Sequence, residues 1–224
     1  MEALILYFVL FFPAITTAPF VAAADTVLVL PFSPARELGR MITHTLPGIA
    51  LLLYIIFGKD FQKDTSKSLC RKSALIQAVL PGKRDILPFV CALPALVAIG
   101  VGVSLMVSHF AALPPPVKIE CPASVAGWAA VVFACLGTGY MEEIFFRYYL
   151  LSKTETLIQH EPSRVVFSVV LFTVSHIGDG HWGMVNAALA GLLLAVLFLR
   201  FRSLHGIALA HAGYNVFVYA MGAL

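Results

Sequence analysis

The chain has 224 residues, of which 60% are hydrophobic and only 12% are charged, with a formal net charge of +3. A soluble domain carries about a quarter charged residues, so this composition excludes an ordinary soluble protein. The small net charge gives no indication of nucleic-acid binding. The four cysteines fall singly, without the spacing of a metal site or of a disulfide framework.

Long apolar stretches separated by short polar ones predict an all-α fold, a polytopic transmembrane helical bundle that forms a single domain over residues 1–224. Several stretches are close to the shortest length that crosses a hydrocarbon core about 30 Å thick. We predict about seven spans, at 4–24, 41–57, 86–110, 125–151, 164–180, 183–199 and 204–223.

Two segments in the first half of the chain need separate interpretation. The sequence PFVAAADT (19–26) has the small residues of a signal cleavage site, but no basic segment precedes the first span, so we expect that span to be retained. The polar segment 58–85 is predicted to be a cytosolic interfacial loop, whereas LPPPVKIECP (113–122) is predicted to be a stiff outer connection.

The basic residues predict the orientation of the bundle. With the N-terminus inside, the outer segments hold only Arg36, Arg40 and Lys118, which leaves 12 of the 15 lysines and arginines on the inner side. This asymmetry follows the positive-inside rule and predicts an N-in, C-out topology. The short loops indicate an integral protein of a prokaryotic cytoplasmic membrane.

The first of three polar clusters lies in GYMEEIFFRYYL (139–150), inside the fourth span. Glu143 and Arg147 are four residues apart on one helix face, so they can pair, which offsets the free energy of burying each charge. Glu142 points about 100° away and has no partner within its own helix. We therefore expect Glu142 to face the interior of the bundle.

Two stripes of small residues predict close packing between helices. One leads to Glu142 along the fourth span and comprises Ala126, Ala130, Ala134 and Thr138. The other lies in the sixth span, where it could pack within the chain or against a second copy, and comprises Ala187, Gly191 and Ala195.

The other two clusters pair residues at i,i+4 in later spans: Phe172 with His176, and His211 with Asn215. At 1.5 Å per residue, Glu142 and these polar residues lie ~12–18 Å below the predicted cytosolic surface. Three helices thus bring polar groups to one level, which predicts a single site in a cytosol-facing cavity.

A carboxylate beside a neutral imidazole can hold and deprotonate a water molecule. A histidine and an asparagine on one helix face can donate hydrogen bonds to the oxyanion that forms when water attacks an amide. The set therefore predicts hydrolysis of a peptide or similar acyl bond without a covalent intermediate. No serine or cysteine forms an obvious nucleophile pair with a histidine, although Ser175 and Cys135 are the nearest candidates.

These residues also carry a resemblance to a known family. The chain resembles the CAAX-processing and bacteriocin-processing (CPBP, or Abi) membrane proteases, which include the eukaryotic type II CAAX endopeptidases. The family is marked by EExxxR, FxxxH and HxxxN motifs in that order, and the resemblance covers about residues 125–220. The matching residues are Glu142, Glu143, Arg147, Phe172, His176, His211 and Asn215.

The resemblance implies that Glu142 and His176 activate water and that His211 and Asn215 form the oxyanion hole. It implies supporting roles for the other motif residues: Glu143, Arg147 and Phe172. No metal is implied, and the site is expected to open toward the cytosol. The expected partners are the bilayer and a peptide or protein substrate, with or without a lipid modification, and not nucleic acid.

Three alternatives remain from the sequence. Glu142, His176 and His211 could instead be ligands of a catalytic zinc ion, with His181 as a further ligand. The protein could also bind a peptide without cleaving it, as in bacteriocin immunity. A proton-coupled transporter would use similar Glu and His residues, but the chain lacks evident inverted repeats.

Overall fold

A computed structural model describes residues 2–17, 29–58, 80–109 and 118–221. Within these ranges seven long helices form a bundle, which confirms the predicted all-α fold class. A two-residue parallel pair joins β1 (Val29–Leu30) to β2 (Lys118–Ile119). The helices are α1 (Glu2–Thr17), α2 (Pro34–Phe57), α3 (Ile86–His109), α4 (Val125–Glu143), α5 (Glu161–Ser175), α6 (Gly180–Phe201) and α7 (Leu204–Met221).

The fourth predicted span is not one α-helix. After α4 the chain continues as a π-helix over Ile144–Leu150, followed by the α-turn Leu151–Lys153 and the 3₁₀ turn Thr154–Thr156. All seven residues of the π-helix are buried. It contacts α2, α5, α6 and α7, so it lies at the centre of the bundle.

Hydroxyl groups satisfy carbonyls of the π-helix. Ser168 of α5 donates to the Phe146 carbonyl at 3.0 Å, and Ser152 donates to the Tyr148 carbonyl at 2.6 Å. Thr154 donates to the carbonyl of Leu150 at 2.7 Å. Because a buried carbonyl without a partner is destabilising, these hydroxyls support the irregular backbone.

The prediction was wrong about where α2 begins. The helix starts at Pro34, not at residue 41, because Ser33 caps it by accepting a hydrogen bond from the Arg36 amide and proline is favourable at the first helical position. The charges of Arg36, Glu37 and Arg40 resemble an outer loop in sequence. In the structure Glu37 is buried and accepts from Arg40 at 2.8 Å.

The remaining boundaries differ by smaller amounts. α5 ends at Ser175 instead of residue 180, and α6 begins at Gly180. Gly180 has a φ of +76°, a left-handed conformation that favours glycine and turns the chain into the next helix. Most of the predicted cytosolic loop, the possible signal cleavage site and part of the stiff outer connection lie outside the described residues.

α4 packs between α2 and α7, while α7 also packs on α3 and α6 packs on both α3 and α5. α4 approaches α7 closely at Gly139, where a Cβ atom would lie 2.9 Å from the Ala208 carbonyl oxygen and 3.0 Å from the Ala212 amide nitrogen. The predicted stripe on α4 is buried only at its inner end, at Ala134 and Thr138. The stripe on α6 is buried within the chain.

Four helical segments among the described residues are long and apolar enough to cross a membrane. They are Pro34–Phe57, Lys83–His109, Val125–Lys153 and Ile177–Phe201. Together with the exposed leucines, isoleucines and valines on the outer faces of the bundle, they identify an integral membrane protein. The N-in, C-out orientation stays a prediction.

Candidate active site

The charged residues of the EExxxR motif lie where α4 becomes the π-helix. Glu142 and Glu143 end α4, and Arg147 is in the middle of the π-helix. Their exposed fractions are 7%, 0% and 1%, respectively. Three charges are therefore buried at the centre of an apolar bundle, where each needs a partner.

Glu143 contacts two cations at once. Its Oε2 lies 3.1 Å from Nε of Arg147, the pairing that the i,i+4 spacing predicts. Its Oε1 lies 2.8 Å from Nδ1 of His211 on α7. Glu143 thus holds both its own helix and the histidine of the third motif.

Glu142 has a partner from another helix. Its Oε2 lies 3.6 Å from Nε2 of His211, so the imidazole stands between two carboxylates. With His211 protonated, Glu142, Glu143, Arg147 and His211 carry two negative and two positive charges. A cluster without net charge is the favourable arrangement for four ionisable groups buried away from water.

Arg147 is also fixed by the backbone of α6 and by an aromatic ring. Its Nη2 donates to the Gly191 carbonyl at 3.2 Å, and its guanidinium carbon lies 4.5 Å from the centre of the Phe172 ring. A Cβ atom at Gly191 would come within 2.8 Å of that ring. The hydrogen bond from Arg147 to the Gly191 carbonyl was not predicted. The only indication in the sequence was that Gly191 belongs to the small-residue stripe of α6.

His176 follows directly after α5 and is half-buried. Its Nδ1 lies 2.8 Å from the carbonyl oxygen of Phe172, and the two rings are 4.6 Å apart. The Phe172 ring is also 6.0 Å from the ring of His211, so it packs against both histidines. Ser175 donates its hydroxyl to the Phe172 carbonyl at 2.7 Å, and the same oxygen lies 3.2 Å from Nδ1 of His176.

Asn215 is half-buried on α7, one turn beyond His211. Its amide makes no hydrogen bond to another described residue. The preceding Tyr214 is buried and donates to Oδ1 of Asn186 on α6 at 3.0 Å. This bond ties the α7 segment that carries Asn215 to a second helix.

The other candidates from the sequence lie elsewhere. Cys135 is buried in the middle of α4, 3.6 Å from Nη2 of Arg40. His181 is exposed in the first turn of α6. Within the described ranges, no three His, Cys, Asp or Glu side chains converge as ligands of one metal ion.

Residues 124–217 match the family model described as Rce1-like, type II CAAX prenyl endopeptidase. Through this segment the chain is similar to the type II CAAX prenyl endopeptidases. The match includes all the residues that carry the resemblance in the sequence, from Glu142 to Asn215. No curated protein and no solved structure matches the chain.

The family match includes the whole buried cluster. The matched segment begins at the N-cap of α4 and ends within α7, so it contains the π-helix, both histidines and the Gly191 contact. The family is one of CAAX-type membrane endopeptidases.

Proposed function

We propose that this protein is an intramembrane peptidase that hydrolyses a peptide bond with water activated by Glu142 and His176. His211 and Asn215 hold the oxyanion, and the site opens to the cytosol. The observation that carries the proposal is the bridge at His211, whose two ring nitrogens face Glu143 at 2.8 Å and Glu142 at 3.6 Å. The match of residues 124–217 to the Rce1-like family model supports it.

The contact of His176 defines which of its nitrogens can act on water. A carbonyl oxygen only accepts, so Nδ1 carries the proton that bonds to the Phe172 carbonyl. Nε2 therefore keeps its lone pair and accepts a hydrogen bond from the attacking water. Glu142 takes the other proton of that water, and the resulting hydroxide forms a C–O bond to the carbonyl carbon.

The next steps return the site to its starting state. As the tetrahedral intermediate collapses, the C–N bond breaks and the proton on Glu142 passes to the leaving nitrogen. No covalent bond to the protein forms. The products are a carboxylic acid and an amine, which balances the atoms of one water and one amide.

The contacts of His211 suit it to stabilise the oxyanion. Because Nδ1–H is committed to Glu143, a hydrogen-bond donor at Nε2 requires the imidazolium form, which two flanking carboxylates favour. The amide of Asn215, one turn further along α7, is the second donor. Losing one such donor typically lowers the rate about 10²–10³-fold.

The substrate in this proposal is a peptide or protein, with or without a lipid modification. The family model is named for prenylated substrates. A farnesylated peptide and the same peptide without the prenyl group therefore belong in every assay.

Cleavage of a quenched fluorescent peptide library by detergent-purified protein tests the proposal. We expect Glu142→Gln to lower the rate about 10²–10⁴-fold, as loss of a general base does. Glu161→Gln, an exposed carboxylate at the start of α5, is the matched control and should have wild-type activity. Full activity of Glu142→Gln would overturn the mechanism.

Two further arms separate the alternatives. Wild-type activity that a strong chelator abolishes and Zn²⁺ restores would assign the same residues to a metal. Peptide binding by the wild type without any cleavage would favour the peptide-binding alternative. Activity that survives the chelator and is lost in Glu142→Gln is the result we expect.

A further inference from the structure

A hydrogen bond between two side chains outside the three motifs joins α7 to α6. The Tyr214 hydroxyl donates to Oδ1 of Asn186 at 3.0 Å. Tyr214 is buried, and Asn186 is half-buried in the second turn of α6. Because a buried hydroxyl without its acceptor is destabilising, this bond fixes where the side chain of Tyr214 lies.

The backbone of α3 admits the Tyr214 ring because residue 100 is glycine. A Cβ atom at Gly100 would overlap the Tyr214 hydroxyl and would lie 2.9 Å from Cε2 of the ring. The ring therefore lies against α3 while its hydroxyl reaches α6. Gly102, two residues further along α3, has open space around the corresponding point, so the close packing is specific to Gly100.

Asn186 belongs to the same helix as the backbone contact of Arg147. The carbonyl of Gly191, five residues after Asn186 in α6, accepts a hydrogen bond from Nη2 of Arg147 at 3.2 Å. At a rise of 1.5 Å per residue, the two positions are about 7.5 Å apart along the helix. One helix thus contacts both the arginine of the first motif and the tyrosine that precedes Asn215.

These two bonds and the two contacts of Glu143 form a closed loop through α4, the π-helix, α6 and α7. The four contacts are 2.8–3.2 Å long, and the helix backbones complete the loop. In order around the loop, the members are Glu143, Arg147, Gly191, Asn186, Tyr214 and His211. Both α6 and α7 are therefore held at two points, which resists rotation of α7 about its own axis.

Rotation of α7 matters because both proposed oxyanion donors project from this turn. His211 precedes Tyr214 by three residues, and Asn215 follows it directly. The Asn215 amide has no hydrogen bond to another described residue, so its position depends on the α7 backbone, which Tyr214 holds. At a side-chain radius of about 5 Å, a rotation of about 10° moves a donor by about 1 Å. A displacement of about 1 Å can lower a rate about 10²-fold.

We propose that Asn186 is a positioning residue of the active site, which acts through Tyr214 to fix the α7 turn that carries His211 and Asn215. The inference rests on the proposed peptidase function and extends it to two residues outside the three motifs. Loss of either side of the bond weakens the hold on the oxyanion and not on the uncleaved peptide.

Steady-state cleavage of the best library peptide by Tyr214→Phe and Asn186→Leu tests this role. We expect each variant to lower kcat about 10- to 100-fold, with KM within about twofold of the wild-type value, because the oxyanion is absent from the ground state. The two changes remove the same bond, so the double variant should lose no more than either single one. A peptide phosphinate, which mimics the tetrahedral intermediate, should bind more weakly by the same factor as kcat falls.

Tyr7→Phe is the matched control. Tyr7 is also a buried tyrosine, and its hydroxyl donates to the Leu171 carbonyl at 2.9 Å, outside the closed loop. Tyr7→Phe should therefore lower the melting temperature about as much as Tyr214→Phe does, but should leave kcat near the wild-type value. The comparison separates loss of a buried hydrogen bond from loss of the contact that holds α7.

Two glycines of α3 provide a measurement that leaves both residues of the bond unchanged. Gly100→Ala should displace the Tyr214 ring and lower kcat as Tyr214→Phe does. A Cβ atom at Gly102 meets nothing within 4 Å, so Gly102→Ala should have wild-type activity. Wild-type activity in both variants would mean that the site does not depend on the position of this ring, which would contradict the inference.

The outcomes distinguish this inference from the proposed function. Wild-type kcat in Tyr214→Phe would overturn the role of Asn186 and leave the peptidase intact. Equal losses of kcat in Tyr214→Phe and Tyr7→Phe, or an unchanged affinity for the phosphinate, would show a structural role only and would also overturn it. Absence of cleavage by the wild type would overturn the proposed function, and this inference with it.

Discussion

At the scale of single residues, Glu143 contacts two basic side chains, whereas its neighbour Glu142 contacts one. Its two oxygens bind Arg147 and His211 at the same time, and all three side chains are buried. Removing one partner from a buried charge pair leaves the other charge uncompensated, which destabilises a protein by about 3–5 kcal/mol. Glu142 contacts only His211 among these cations, at the longer distance of 3.6 Å.

The two carboxylates should therefore respond differently to the same change. We expect Glu143→Gln to lower both the melting temperature and the cleavage rate, the rate by at least about 10²-fold because His211 loses its orientation. Glu142→Gln should lower the rate but lower the melting temperature by less than Glu143→Gln does, because Glu142 makes one contact at 3.6 Å and Glu143 makes two shorter ones. Thermal unfolding in detergent, measured beside kcat, checks the difference, and equal melting temperatures for the two variants would contradict it.

Sequence spacing predicts contacts within one helix much better than contacts between helices. The Glu143–Arg147 pair and the Phe172–His176 face follow from i,i+4 geometry and are present. The bond from Glu143 to His211 joins residues 68 positions apart, and no local pattern encodes it. Glu142 therefore lacks a partner in its own helix, as predicted, but has one in α7.

At the scale of elements, the π-helix is the feature that periodicity does not reveal. The sequence of Ile144–Leu150 is typical of an ordinary apolar α-helix. Because hydrophobic residues occur on all faces, the sequence has no periodicity that would distinguish a π-helix from an α-helix. The extra width of a π-helix depends on tertiary support, here the hydroxyl of Ser168 from α5 and the packing of four other helices. Such segments are frequent at functional sites, and this one carries Arg147.

The approach of α4 to α7 gives a prediction at this scale. A Cβ atom at Gly139 would lie 2.9 Å from the carbonyl oxygen of Ala208 and 3.0–3.2 Å from the amide nitrogen and Cβ of Ala212, atoms that cannot move without the helix. We expect Gly139→Ala to separate α4 from α7, to lengthen the contacts of His211 with both carboxylates, and to lower kcat at least tenfold. Gly102→Ala on α3 has open space and serves as the control. Unchanged activity of Gly139→Ala would mean that the site tolerates the separation.

At the scale of the whole molecule, composition alone indicated the fold class, and the helix order followed from hydropathy. The predicted start of the second span was wrong because charged residues lie in the first turns of α2. Glu37 contacts Arg40 and Tyr219 only in the folded protein, so the sequence alone does not indicate that these residues are part of the helix. Membrane orientation depends on the basic residues and not on any contact within the chain.

The N-in, C-out orientation is therefore a separate prediction. A fluorescent reporter that matures only in the cytosol should stay dark when fused after residue 224 and should be bright when fused before residue 1. Labelling with a membrane-impermeant thiol reagent at Cys121, which is exposed on the predicted outer side, should be possible in intact cells. Cytosolic fluorescence from the C-terminal fusion would reverse the predicted topology.

The net charge of the cluster formed by Glu142, Glu143, Arg147 and His211 determines how strongly the membrane potential acts on it. A full membrane crossing changes the energy of one elementary charge by about 2.3 kcal/mol per 100 mV. With His211 protonated, these four groups carry two charges of each sign and experience no net force along the field. The geometry of the site should therefore be the same in an energised cell, in a de-energised vesicle and in a detergent micelle.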